Sequence, residues 1–116
     1  MMKLPKRIEK ILENYDFSIC GEITQYRNEK DYNIELETYS PLGEDVIVSF
    51  YFDGTKKGFI KAFEEYADNF DVDDHVEIWI DSRGKNGVPG SIRDLLEDAE
   101  WQKNIFLEIA GELNNL

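Results

Sequence analysis

The single histidine, His75, stands beside Asp73 and Asp74, and the single cysteine is Cys20. A Ser-His or Cys-His nucleophile pair would therefore have one possible base. The adjacent acids favour the protonated imidazole, and His75 reads as a surface histidine near a helix start. Cys20 lies in an apolar, strand-like context and reads as a small core residue. Asp71, Asp73 and His75 mimic the opening of a calcium loop. The loop then needs Gly and Glu where the chain has Val76 and Ser82, so the match fails. Zinc would require Cys or His ligands that the chain lacks. Gly84-Lys85-Asn86-Gly87 has two glycines in a turn without the spacing of a phosphate-binding fingerprint. Glu35 and Glu37 share a strand face and read as solvated carboxylates. The expectation is no catalytic residue, no metal ligand and no cofactor. A nuclease using carboxylate-bound magnesium, whose ligands have no fixed spacing, is the remaining catalytic alternative.

Charge is the more informative chemistry. Twenty-five acidic residues face thirteen basic ones in 116 residues, a formal net charge of -12. Such a chain repels nucleic acid and anionic membrane and attracts basic partners. The distribution is uneven. Residues 1–14 net +2, with Lys3, Lys6, Arg7 and Lys10 against Glu9 and Glu13, whereas 15–53 carries nine acids and two bases and nets -7. Residues 71–81 hold five acids and no base, and 91–116 hold six acids and two bases.

The elements that must place these charges follow from periodicity. Leu4, Ile8, Ile11, Leu12 and Tyr15 recur at helical spacing after Pro5. Three strands follow: a first segment with Phe17, Ile19 and Ile23 in one phase and a bulge or bend at Gly21, a second over residues 32–39, and a third over Val46–Phe52. The second alternates apolar and polar. The third is apolar on both faces, as expected of a strand that is central or covered on both sides. Short connections make the three an antiparallel meander. Phe59, Phe63, Tyr66, Ala67 and Phe70 then mark a helix, capped by Thr55 or Asp53. Residues 73–83 fit either a strand or a helix. The helical reading is preferred, because it puts Val72, Val76, Trp79, Ile80 and Arg83 on one face and Asp73, Asp74, Glu77 and Asp81 on the other. Ser91 with Asp94 opens the last helix as a capping box. Its expected core stripe is Ile92, Leu95, Leu96, Ala99, Phe106, Leu107, Ala110 and Leu113.

The expected fold is α+β, a single domain over 1–116: an N-terminal helix, a three-stranded antiparallel β-meander, then three helices packed on one face of the sheet. With one cysteine there is no intramolecular disulfide. No signal peptide and no membrane span is recognised, so a cytoplasmic protein is expected.

On the last helix, with Ile92 at zero, Asp94, Glu97, Asp98, Glu108 and Glu112 fall between ~140° and ~240°. Trp101 near ~180° and Ile105 near ~220° sit among them. Side chains three or four apart on a helix stand ~5–6 Å from one another, so these acids form a linear array. An apolar anchor within it is what a protein partner would cover; for Trp101 the plain alternative is burial against a neighbouring element. Asp73, Asp74, Glu77 and Asp81 form the alternative acidic surface.

The second half resembles small, mostly uncharacterised proteins carried by conjugative elements and phages of Gram-positive bacteria. The residues that carry the likeness are Phe52-Asp53-Gly54, Glu65 to Asp71, Asp74-His75-Val76 with Trp79, Gly87-Val88-Pro89, and Ser91 to Glu100. The resemblance favours the helical reading of 73–83 and brings no catalytic motif. In size, charge and setting the chain is similar to anti-CRISPR and antirestriction proteins. What this implies is a non-enzymatic inhibitor that occupies the basic nucleic-acid-binding groove of a defence nuclease such as Cas9 and blocks entry of guide RNA or DNA. It would not itself bind nucleic acid or membrane. The rival reading is a regulatory or accessory module of a mobile element that binds a protein partner, or a second copy, through Trp101 and Ile105.

Overall fold

A computed structural model describes residues 2–25, 27, 30–83 and 91–116, and of residues 81–83 the backbone alone. The Gly84–Gly87 turn and the side chain of Asp81 lie outside the described residues. The architecture is α+β: helices α1 (Lys6–Asn14), α2 (Lys56–Asn69), α3 (Val72–Arg83) and α4 (Ile92–Asn114), with an antiparallel sheet of β1 (Ser18–Ile19), β2 (Thr24–Gln25), β3 (Tyr32–Tyr39) and β4 (Asp45–Phe52).

The sheet has four strands where three are expected, because the first segment breaks in two. Ser18 and Ile19 face Glu37 and Leu36, and Thr24 and Gln25 face Asn33 and Tyr32, so residues 20–23 stand opposite only 34 and 35. Gly21 absorbs the excess at φ 67°, a left-handed conformation that costs glycine little. Across this bulge Cys20 N still donates to Glu35 O at 2.9 Å.

β3 is the central strand, with β1 and β2 along one edge and β4 along the other. The expectation that β4 is central or covered on both faces is therefore corrected. Val46, Val48 and Phe52 point into the core, whereas Ile47 and Tyr51 on the opposite face are 52% and 58% exposed. Hydropathy reads a strand's composition, not which of its faces meets another layer.

One face of the sheet is covered. Ile34, Leu36, Val46, Val48 and Phe52 share a core with Ile8 and Leu12 of α1, Phe59 and Phe63 of α2, and Phe106, Ile109 and Leu113 of α4. Each such side chain stabilises the fold by ~1.5–3 kcal/mol when fully buried. The helical reading of 73–83 holds. α3 packs on α4 in a smaller cluster, Val76, Leu95 and Ala99, flanked by Leu42 and Trp79.

Helix ends are closed by identifiable groups. Thr55 caps α2 by accepting from Gly58 N at 2.9 Å, while Asp53 Oδ1 accepts from Thr55 N at 2.9 Å. Gly58 permits this, since a Cβ there would stand 1.9 Å from Asp53 Oδ1. The last turn of α2 has no basic residue of its own. Lys103 of α4 takes that role, donating from Nζ to Ala67 O and, at 3.1 Å, to Asp68 O. The capping box at Ser91 and Asp94 forms as expected, with both bonds present. Among the described residues no helix is long and apolar enough to cross a membrane.

The phase of α4 differs from the expected stripe. Its buried residues are Leu95, Asp98, Ala99, Gln102, Ile105, Phe106, Ile109, Ala110 and Leu113, while Ile92 and Leu107 are exposed. At ~100° per residue this stripe is turned by roughly 60° from the expected one. Two polar residues, Asp98 and Gln102, occupy its middle and hide it from a hydropathy count.

Candidate functional site

That rotation decides which side chains α4 presents. Asp94, Glu97, Asp98 and Trp101 stand at i, i+3, i+4 and i+7 and share one face. Across from them lies the turn between β3 and β4, and with Pro41 and Leu42 they line a cleft of about 200 Å³. The turn is pinned to the helix, as Leu42 N donates to Asp98 Oδ1 at 3.3 Å. Asp98 is only 4% exposed, and its Oδ2 has no hydrogen-bond partner.

Behind this floor lies a buried polar cluster. Glu44 Oε1 is 3.1 Å from His75 Nε2, and Glu44 Oε2 accepts from Gln102 Nε2 at 3.1 Å. The imidazole lies against the Phe70 ring at a tilt of 42°, with centroids 5.1 Å apart. Burial pushes the Glu44 carboxyl up from its ordinary value; the His75 bond opposes this, and the nearby Asp98 carboxylate adds to it. The cluster ties the β3–β4 turn, α3 and α4 together through partners 31 and 58 residues apart in sequence.

The candidate residues thus divide. Asp94, Glu97, Asp98 and Trp101 come together at the cleft, with Trp101 half-buried against the main core. Asp98 is a buried floor residue and not part of an open array, which corrects the expectation for it. Ile105 is also corrected: it is 8% exposed and belongs to the core, because the stripe of α4 extends to its side of the helix. Glu108 and Glu112 are exposed further along α4, beside α1. Tyr15 donates its hydroxyl to Glu112, and that bond, with burial and the charges of Glu112 and Glu108, pushes the phenol up to about 12.

Asp73, Asp74 and Glu77 are exposed on α3, away from the main core. Asp74 N is held by Asp71 Oδ1 at 2.9 Å, which closes the helix start. His75 lies near the start of α3 as expected, but its side chain is only 29% exposed and its Nε2 is turned onto Glu44. Glu44 and Gln102 carry no local signal in the sequence, and Pro41 and Leu42 read there only as a turn.

Opposing charge is sparse. Among the described residues just two acids lie within ion-pair distance of a basic side chain: Glu44 of His75, and Glu97 of Arg93 at 3.6 Å. The second is an exposed i,i+4 pair, worth only ~0.3–0.5 kcal/mol. Also among the described residues, no group of three His, Cys, Asp or Glu side chains converges closely enough to hold a metal ion.

Comparison with protein-family models, with curated proteins and with solved structures finds no match to this chain.

Proposed function

We propose that this chain is a non-enzymatic inhibitor that lays the acidic side of α4 into the basic nucleic-acid-binding groove of a defence nuclease. The action is anti-CRISPR-like, and the groove through which Cas9 takes guide RNA or DNA is the target. The observation that carries the reading is the convergence of Asp94, Glu97, Asp98 and Trp101 on one cleft, with Glu108 and Glu112 continuing the acidic side beyond it. At 1.5 Å per residue, Asp94 to Glu112 spans ~27 Å, most of one ~34 Å turn of a B-form duplex. Among the described residues Glu97 alone of these carboxylates has an ion-pair partner, so the exposed ones can take the place of phosphates before Arg and Lys side chains. Trp101 supplies the anchor that charge alone does not.

Self-association through Trp101 and Ile105 loses Ile105 to the core. A protein-interaction module of another kind draws support from Ile47 and Tyr51, exposed on an edge strand. A carboxylate-metal nuclease has no ligand cluster among the described residues to stand on. The test is competition for RNA-free Cas9. The inhibitor, added first, should prevent loading of guide RNA, and at raised salt the block should weaken. Undiminished loading at low salt with the protein in excess would remove Cas9 as the target.

A further inference from the structure

β4 leaves one edge of the sheet open, since among the described residues its only strand partner is β3. The carbonyl of Glu35 accepts from Cys20 N at 2.9 Å on the far side of β3. The odd-numbered residues of β3 therefore direct their backbone groups away from β4. The even-numbered ones, Ile34, Leu36 and Thr38, bond instead to their partners Phe50, Val48 and Val46. Ile47, Ser49 and Tyr51 are left with N–H and C=O groups aimed at the open edge. Edge strands are commonly blunted by a lysine, a proline or a bulge. β4 has none of these: residues 45–52 pair with 32–39 without interruption, and 46–52 carry no charge in a chain that is 33% charged.

The order of side chains along this edge chooses the occupant. Val46, Ile47 and Val48 are β-branched, Phe50, Tyr51 and Phe52 are aromatic, and Ser49 divides them. A second β4 laid antiparallel, with Ser49 facing its counterpart, sets every β-branched residue opposite an aromatic one, which is a favoured cross-strand pairing. Ile47 then meets Tyr51 on the open face, where both are exposed. Val48 meets Phe50 on the core face, where Phe50 is only half-buried. The backbone agrees, because Ser49 with its counterpart, and Ile47 with Tyr51, form hydrogen-bonded pairs from groups that already point outward. One two-fold axis through Ser49 generates all of these contacts and closes the assembly. Acids meet only at the ends of the contact, Asp45 opposite Asp53. One strand edge per copy is a small interface, so the association is weak and reversible.

We propose that a second copy of this chain adds to the open edge of β4, antiparallel and centred on Ser49, and joins two four-stranded sheets into one of eight strands. The inference goes beyond the reading of α4 as the partner-binding side and uses none of the α4 acids.

The test is sedimentation equilibrium of the full chain from about 10 μM to about 1 mM, the range where a small interface should act. The apparent mass should rise toward twice that of the monomer. Salt should strengthen the association, because it screens the repulsion between two copies of charge -12. Cross-linking reads the register. In a Cys20→Ser background, Ser49→Cys should yield a disulfide-linked dimer on mild oxidation, since Cα atoms of such a pair stand ~5.5 Å apart. Ile47→Cys alone should not, its counterpart lying four residues along the strand, roughly 13 Å away. Mixed with Tyr51→Cys it should. Ser49→Pro removes an N–H that β3 does not use, and should weaken self-association at least about tenfold. A monomer at every concentration, association that weakens with salt, or equal cross-linking at Ile47→Cys and Ser49→Cys would overturn the proposal. The wild-type measurement needs no variant to fold. If the chain stays monomeric and still blocks guide-RNA loading, the inference falls and the inhibitor reading stands. If it pairs through β4 and loading proceeds, the reverse holds.

Discussion

Reversing Glu97, Glu108 and Glu112 together to lysine should lower affinity for the basic partner on the order of 100- to 1,000-fold at low salt, about tenfold per site. All three side chains are exposed on the outer side of α4, so they lie where a groove would meet them. Each replacement exchanges an attraction for a repulsion, and most of the loss should appear in the association rate. The slope of affinity against salt should flatten as well, because fewer exposed charges remain to be screened. Folding should lose on the order of 1–2 kcal/mol, chiefly the Tyr15–Glu112 hydrogen bond between α1 and α4. Asp94 is left out deliberately: its Oδ2 accepts from Ser91 N at 3.1 Å, and its loss would loosen the start of α4. The matching reversal of Asp73, Asp74 and Glu77 on α3 should change affinity by less than about threefold. The opposite ranking, measured by titration at two salt concentrations, would move the binding side to α3.

The second large effect is on stability. Phe106→Ala should cost about 3–5 kcal/mol. The ring is 1% exposed, and its centroid lies 5.5 Å from that of Tyr66, 5.2 Å from that of Phe70 and 6.4 Å from that of Phe17. It therefore joins α4 to α2, to the residue that ends α2 and to the segment entering β1. Removing it leaves a cavity that three elements cannot close at once. Total stability for a domain of this size is ~5–15 kcal/mol, so the loss is a large share of it. The melting temperature should fall by roughly 15 °C or more, at several degrees per kcal/mol. Ile47→Ala, at an exposed position on β4, is the control and should cost under ~0.5 kcal/mol. A loss below 1 kcal/mol for Phe106→Ala in urea or thermal unfolding would contradict the packing described.

The parts of this fold that are legible in the sequence are those fixed by short-range chemistry. Leu4, Ile8, Ile11 and Leu12 carry a helical period that survives in the structure. Ser91 and Asp94 make a reciprocal cap that depends on nothing beyond their own turn. Gly21 marks the break in the first strand, although whether it divides one strand or bends it depends on pairing with β3, which is not local.

The misreadings share a cause. Ile47 and Tyr51 suggest a buried strand, but apolar residues also occupy sheet faces that no second layer covers. On α4, Asp98 and Gln102 lie in the core stripe because Leu42 and Glu44, more than fifty residues earlier in the chain, supply hydrogen bonds for them. Buried polar residues with remote partners defeat any count of apolar spacing. Apolar spacing alone puts Ile105 on the acidic side, for the same reason. The cleft was half visible for the same reason: its α4 wall is one helical face, while its opposite wall comes from a turn whose residues say nothing of what they meet.

The most direct measurement of whether the acids of α4 meet a basic groove is zero-length carbodiimide cross-linking of this chain to RNA-free Cas9, with the joined peptides identified by mass spectrometry. Carboxylates in contact with partner lysines become amides. The bonds should form at Asp94, Glu97, Glu108 and Glu112. Cross-links confined to Glu35, Glu37 and Asp45, on the open side of the sheet, would place the partner on the opposite layer and contradict the proposed function.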